Sequence, residues 1–163
     1  MIEIRRLAAT DHAGVLAIYN HYVEHTHFTF DVDPFTEDGR EPWYAKFDGA
    51  RRQCWVAVEG EEVLGYASSM ALKAKKAYET SVEVSIYLQP DSGRQGLGSK
   101  LYGALFDALT NQDVHRAYAV IALPNDASIA FHEKFGFRKV SHMSEVGRKF
   151  GRYWDVAWWE KGF

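Results

Sequence analysis

Cysteine is almost missing from this chain of 163 residues: Cys54 stands alone, which excludes an internal disulfide framework and any cysteine-ligated metal cluster. Its neighbours Trp55, Val56 and Val58 mark a strand, so the thiol is expected to be buried and structural rather than nucleophilic. No apolar run reaches the roughly 18 residues of a membrane span. The opening Met1-Ile2-Glu3-Ile4-Arg5-Arg6 has no signal-peptide core, so the expectation is a cytoplasmic protein with no membrane partner. Charge of one sign is lacking too: 19 Lys and Arg against 22 Asp and Glu leave a net charge of -3, with no general attraction for nucleic acid. A polyanion must therefore be held locally. His21, His25 and His27 include an i, i+4 pair but no carboxylate or third ligand at a fitting spacing, and no metal site is expected. Internal repeats, low-complexity tracts and linkers are also absent. A hydrophobic fraction of 47% at this length suits one globular domain over residues 1–163.

What the chain does have is a glycine turn, Gly93-Arg94-Gln95-Gly96-Leu97-Gly98, between two segments of opposite period. Upstream, Val82, Val84, Ile86 and Leu88 alternate with Ser81, Glu83, Ser85 and Tyr87, which is a strand pattern. Downstream, Leu97, Leu101, Ala104, Leu105 and Ala108 fall at helical spacing. Glycine admits positive φ and close approach of the backbone, and the free amides of a helix's first turn face outward at the positive end of its dipole. An anion is the natural occupant. The dinucleotide fingerprint runs G-x-G-x-x-G, whereas this order is G-x-x-G-x-G, and the phosphate loop needs Gly-Lys-Ser/Thr, whereas Ser99 separates Gly98 from Lys100. Neither common nucleotide motif fits, and a tight turn that merely permits close packing stays open.

The remaining pattern predicts a strand at Ile2, Ile4 and Leu7, then a helix capped at Thr10-Asp11 that carries Val15, Leu16, Ile18, Tyr19 and Tyr22. A second helix capped by Thr36 carries Trp43, Tyr44 and Phe47 and ends near Gly49. Residues 53–59 and 63–71 read as a hairpin across Gly60-Glu61-Glu62. Residues 117–123 read as a strand, 127–135 as a helix stopped by Gly136, and 137–143 and 153–159 as closing strands. The order βααβββαβαββ predicts an α/β (α+β) fold, a mixed sheet with helices on its faces.

Two separated signatures now stand together. One is Val82-Glu83-Val84-Ser85-Ile86-Tyr87-Leu88 followed by Arg94-Gln95-Gly96-Leu97-Gly98-Ser99-Lys100-Leu101-Tyr102; the other is Leu123-Pro124-Asn125 with Ser128-Ile129-Ala130-Phe131-His132-Glu133-Lys134-Phe135-Gly136-Phe137. Over essentially its whole length the chain resembles the GNAT superfamily of acyl-CoA-dependent N-acetyltransferases. Within it, Ile18-Tyr19-Asn20-His21-Tyr22, Phe30, Lys73-Ala74-Lys75-Lys76-Ala77-Tyr78 and the tail 147–156 resemble the phosphinothricin and methionine sulfone N-acetyltransferase group. The resemblance implies a mostly antiparallel central sheet that splays open to form a cofactor cleft between the Glu83 and Ala117 strands. It implies acetyl-CoA as cosubstrate, its pyrophosphate held by amides of Arg94, Gln95, Gly96, Leu97, Gly98 and Ser99, with Arg94 as the cation. Its pantetheine arm would pair with backbone near Ile86 and Leu88 and with Asn125, which also reads as a helix cap. A homodimer is implied through the last strands, with the Lys149 and Tyr153 region reaching the partner's site.

An amine must lose a proton before it attacks a thioester, so a base is needed. Glu83 matches the group's proposed catalytic glutamate, and its bland alternative is a carboxylate on the non-core face of a strand. The leaving thiolate needs a donor, for which His132 is the candidate; a helix histidine tied to a carbonyl is the alternative. For a small-molecule amine such as an amino acid, Lys73 and Lys75 would hold the carboxylate, and Phe28, Phe30, Leu72 and Tyr78 would form the wall. A solvated charged loop is the other reading of Lys73, Lys75 and Lys76. A peptide amine or polyamine as acceptor, or a non-catalytic acyl-CoA sensor, are the competing functions.

Overall fold

A computed structural model describes residues 1–92 and 96–163. In chain order the elements are β1 (Ile2–Arg6), α1 (His12–His25), α2 (Glu37–Tyr44), β2 (Cys54–Glu59), β3 (Glu62–Ala71), β4 (Ser81–Leu88), α3 (Leu97–Leu109), β5 (Arg116–Ala122), α4 (Asp126–Lys134), β6 (Arg138–Lys149) and β7 (Arg152–Gly162), with short 3₁₀ turns at Ala9–Asp11 and Lys76–Tyr78. The seven strands form one sheet in the order β1-β2-β3-β4-β5-β7-β6. Every neighbouring pair is antiparallel except β4 and β5. The order of helices and strands is the one the periodicity predicts.

Alternation along the strands divides the core between the two faces. Val82 and Val84 of β4 and Ala117, Ala119 and Ile121 of β5 are buried with Leu97, Leu101, Leu105 and Leu109, the apolar stripe of α3. On the opposite face Val56 and Val58 of β2 and Tyr66 of β3 are buried with Val15, Ile18, Tyr19 and Val23 of α1. The period of two therefore turns Glu83, Ser85 and Tyr87 toward the α1 side, away from the larger apolar core.

Local chemistry explains where elements start and where the sequence reading needs correction. Thr36 accepts from Gly39 N at 3.0 Å and caps α2 as expected. Asp11 precedes α1 without capping it: its carboxylate accepts from Ala8 N at 2.8 Å and pairs with Arg5 at 2.7 Å, tying α1 to β1. Phe47 falls beyond α2, which ends at Tyr44; Phe47 N donates to Tyr44 O in the turn that follows. β6 runs on to Lys149 rather than stopping near residue 143, because the polar stretch after Met143 is a bulge with Glu145 at φ 50° and a register shift, not a strand end. Asp155 of β7 pins that bulge by accepting from Glu145 N at 2.7 Å. Phe150 and Gly151, at φ 54° and 72°, make the tight turn into β7.

Candidate active site

β4 and β5 stay together for only three residue pairs, Ser81 to Glu83 against Arg116 to Tyr118, and then diverge. Beyond Glu83 the β5-facing edge of β4 has no strand partner among the described residues. Gln89 N donates to Leu64 O of β3, so by alternation Ile86 and Leu88 turn their amide and carbonyl groups into the gap. Tyr22 reaches into it from α1 and donates its phenol to Leu88 O at 2.6 Å. The gap is a cavity of about 300 Å³ walled by Ile86, Leu88, Gly98, Asn125, Phe131 and His132. It offers unpaired strand backbone and apolar side chains, the combination that suits an extended chain of amides and methylenes.

Its outer end is the start of α3. Gly96 sits there at φ 77°, and among the described residues beyond its chain neighbours nothing lies within 4 Å of where a β-carbon would be, so its conformation is what calls for glycine. Lys100 N makes the first intrahelical bond back to Gly96 O at 3.0 Å, so the amides of Leu97, Gly98 and Ser99 have no acceptor within the helix. A β-carbon on Gly98 would lie 3.3 Å from the Phe131 ring, so this glycine lets α3 close onto α4. Leu97 contributes its amide alone, since its side chain is buried in the core. Arg94 and Gln95, expected to complete the phosphate cradle, lie outside the described residues. Asn125 caps α4 by accepting from Ser128 N at 3.2 Å, and the same residue walls the gap, so capping and lining hold together.

A second cavity of about 350 Å³ opens on the α1 side of the sheet and includes Glu83. Phe28, Ser85, Tyr87, Val120 and Ala122 wall both cavities, which makes them one continuous trough. Burial pushes the Glu83 carboxyl above its ordinary 4.5, toward the range of a base that works near neutrality. Phe28 and Phe30 stand in this wall as expected. Phe30 lies against Gly147 of β6 so tightly that a β-carbon there would fall 2.0 Å from its ring. Lys149, buried and held below its ordinary pKa by that burial, donates to Thr29 O at 2.9 Å. The β6–β7 hairpin thus clamps the 28–31 segment of its own chain. Burial, reinforced by the neighbouring Asp31, pushes the Tyr19 phenol up to about 12, and it donates to Asp31.

The other expected contacts are distributed differently. Leu72, Lys73 and Lys75 border an adjoining cavity of about 1040 Å³, outside the one that holds Glu83, with Trp43 and Met70 common to the two. Tyr78 borders neither, being exposed beneath Lys73 with Nζ 5.4 Å from its ring centre. His132 is 4% exposed and held at both ring nitrogens. Nδ1 lies 2.8 Å from Ser128 O and Nε2 2.8 Å from the Tyr102 hydroxyl. A carbonyl accepts only, so Nδ1 carries the proton and Nε2 receives the one that Tyr102 donates. Burial lowers the pKa of His132, which keeps the ring neutral.

Sequence reasoning missed Arg40, Tyr66 and Asp31, all of which border the Glu83 cavity. Arg40 comes from α2, Tyr66 from β3 and Asp31 from the loop between the first two helices; no motif joins them. The one available hint was the i, i+3 spacing of Arg40 and Trp43 on a capped helix.

Comparison with known proteins gives the family to which these splayed strands and this glycine-led helix belong. The acetyltransferase (GNAT) family model matches residues 15–137. The chain belongs to this family. Among its relatives, the phosphinothricin N-acetyltransferase of Streptomyces coelicolor is 50% identical across 98% of this chain and 95% of its own length. The L-methionine sulfoximine/L-methionine sulfone acetyltransferase of Pseudomonas paraeruginosa is 36% identical across 95% of this chain and 91% of its own. The crystal structure of a GNAT phosphinothricin acetyltransferase from Sinorhizobium meliloti in complex with acetyl-CoA superposes with a TM-score of 0.93 at 29% identity, covering 99% of this chain and 88% of that one. The GNAT fold and acetyl-CoA-dependent N-acetyltransferase activity follow for this chain. Among the described residues no helix is long and apolar enough to cross a membrane.

Proposed function

We propose that this GNAT enzyme acetylates the α-amino group of a small amino acid or analogue of the phosphinothricin, methionine sulfone or methionine sulfoximine kind, by direct transfer with Glu83 as base. The observation that carries the reading is the position of Glu83. It is the last β4 residue paired to β5, two residues before Ser85, which walls both cavities, and its carboxyl is held above the ordinary range by burial. An acceptor amine lying in the Glu83 cavity loses its proton to that carboxylate, directly or through a water. The amine nitrogen then attacks the thioester carbonyl, the C–S bond breaks, and the coenzyme A thiolate leaves and takes up a proton.

Energetics favour an α-amine. Deprotonating one with a pKa near 8 costs about 1.4 kcal/mol at pH 7, against roughly 4.6 kcal/mol for a lysine-type amine near 10.4. A single carboxylate meets the first demand more readily. The cosubstrate arm lies along Ile86 and Leu88 in this reading, with the amides of Leu97, Gly98 and Ser99 facing its phosphates. His132 lines the cavity with the fully buried Tyr102 behind it, so in this reading it meets the thiolate as a ring held at both nitrogens rather than as a free acid. Lys73 and Lys75 border the adjoining cavity, from which their charge attracts an anionic acceptor without touching it at the reacting end.

The reading includes a homodimer formed through β6, the edge strand of the sheet. Val140, Met143, Val146, Phe150 and Tyr153 are exposed on that hairpin, an unusual apolar load for a free edge. Because Lys149 is spent on Thr29 of its own chain, Phe150 and Tyr153 are the large apolar residues there that face outward. The reading also places the enzyme in the cytoplasm, which suits a lone buried thiol.

A coenzyme A thiol-release assay tests the assignment across phosphinothricin, methionine sulfone, methionine sulfoximine, ordinary amino acids, a peptide amine and a polyamine. Turnover is expected with the free amino acid analogues. Turnover confined to the peptide or polyamine would overturn the substrate class, and acetyl-CoA binding without turnover on any amine would favour a sensor.

A further inference from the structure

Arg40 is the one strongly basic side chain bordering the Glu83 cavity among the described residues, and it is 7% exposed. Aromatic faces surround its guanidinium: the Trp43 ring centre is 4.1 Å away, Tyr19 4.2 Å and Phe35 5.0 Å. Ring faces attract a cation but accept no strong hydrogen bond. No carboxylate among the described residues lies within ion-pair distance of Arg40, and its Nε is buried with no acceptor. Asp31, the nearby acid, is engaged by the Tyr19 phenol. The Tyr66 hydroxyl, in the same wall, is likewise buried without a partner. A buried guanidinium with an unmet Nε–H is among the more costly arrangements in a protein, and two unmet polar groups on one cavity wall is a pattern that a ligand anion resolves.

Resting on the proposed amino-acid acceptor, we propose that Arg40, assisted by Tyr66, binds an anionic oxygen group of that acceptor, in place of the lysines of the 73–76 loop. Placement along the sheet agrees. Tyr66 pairs in register with Tyr87, four residues along β4 from Glu83, or about 13 Å of strand between α-carbons. Side chains converging from the two ends leave room for a small molecule whose amine meets Glu83 and whose anion meets Arg40. The planar fork of arginine suits a carboxylate or a phosphinate equally, so the acceptor's own carboxylate and a side-chain oxyanion are the two sources.

The test compares wild type with Arg40→Met, which keeps a long stem between the rings and removes the charge. Wild-type turnover of methionine sulfone and phosphinothricin is measured first; its absence would defeat the substrate reading itself and leave the residue assignment aside. With turnover in hand, the acceptor KM of Arg40→Met is expected to rise at least 10-fold, with kcat changed less than 3-fold and the acetyl-CoA KM unchanged. An equal rise for both acceptors identifies the carboxylate, and a rise confined to phosphinothricin identifies the side-chain oxyanion. Unchanged acceptor KM for both, with only a lowered melting temperature, would overturn the proposal and leave Arg40 as a packing cation. If Arg40→Met does not fold, Arg40→Lys serves, because it keeps the charge and loses the fork. A several-fold rise in acceptor KM supports the proposal there and an unchanged value overturns it.

Discussion

The two halves of the trough are built on different principles. The half proposed for the cosubstrate is made of backbone: an edge of β4 at Ile86 and Leu88 that lacks a strand partner among the described residues, first-turn amides of α3, and a left-handed Gly96. The half proposed for the acceptor is made of side chains from β4, β3, α2 and the 28–31 segment, with Glu83, Tyr66, Arg40 and Asp31 brought together from distant positions. Backbone recognition tolerates change in most side chains and suits a cosubstrate that does not vary. Side-chain recognition changes with single substitutions and suits an acceptor that distinguishes one enzyme from the next.

That contrast can be broken or sharpened by substitutions on each side. The largest effect is expected from Glu83→Gln, which should lower kcat on the order of 10²- to 10⁴-fold while leaving acetyl-CoA affinity nearly unchanged, measured by steady-state kinetics and calorimetry. Gly96→Val forces a branched side chain into a left-handed conformation. A strain of about 1–2 kcal/mol should weaken acetyl-CoA binding roughly 5- to 30-fold, with circular dichroism confirming the fold and the acceptor KM little moved. If both substrates lost affinity together, the two halves would not be separable.

A stability prediction bears on the same carboxyl. The folded-state pKa of Glu83 lies above 4.5, so the native protein holds that proton more tightly than the unfolded chain does. The resulting contribution to stability is present below pH 4.5 and is lost as pH rises through the folded value. Glu83→Gln should therefore melt at a higher temperature than wild type above that range, the gap widening with pH and then levelling, as followed by thermal melts across a pH series. Lys75→Ala should have the smallest effect, less than about 3-fold on acceptor KM and diminishing with added salt, because Lys75 borders the adjoining cavity and acts only through its field.

The same contrast explains what could be read from the chain. The strand alternation of residues 81–88, the helical spacing from Leu97 and the glycine order between them were local signals, so the cosubstrate half and the element order were legible. The placement of Glu83 on the α1 side of β4 was legible because it shares that local frame. Leu72, Lys73 and Lys75 were placed by family resemblance, as an apolar wall and as cations for a carboxylate; the chain sets them against the cavity next to the one that holds Glu83. Arg40 was illegible because its setting depends on two rings from other segments, Tyr19 and Phe35, closing over it beside the Trp43 of its own helix, which is a tertiary fact. The long β6 was cut short at Met143 because a bulge and a strand end present the same polar residues.

The central claim is that the Glu83 carboxylate, raised by burial, takes the acceptor's proton. The pH dependence of kcat/KM for wild type and Glu83→Gln, with the best amino-acid acceptor at saturating acetyl-CoA, tests it most directly. The account predicts a wild-type profile that rises through a limb lying above 4.5, and a Glu83→Gln profile from which that limb is gone. An identical rise in both proteins would contradict it.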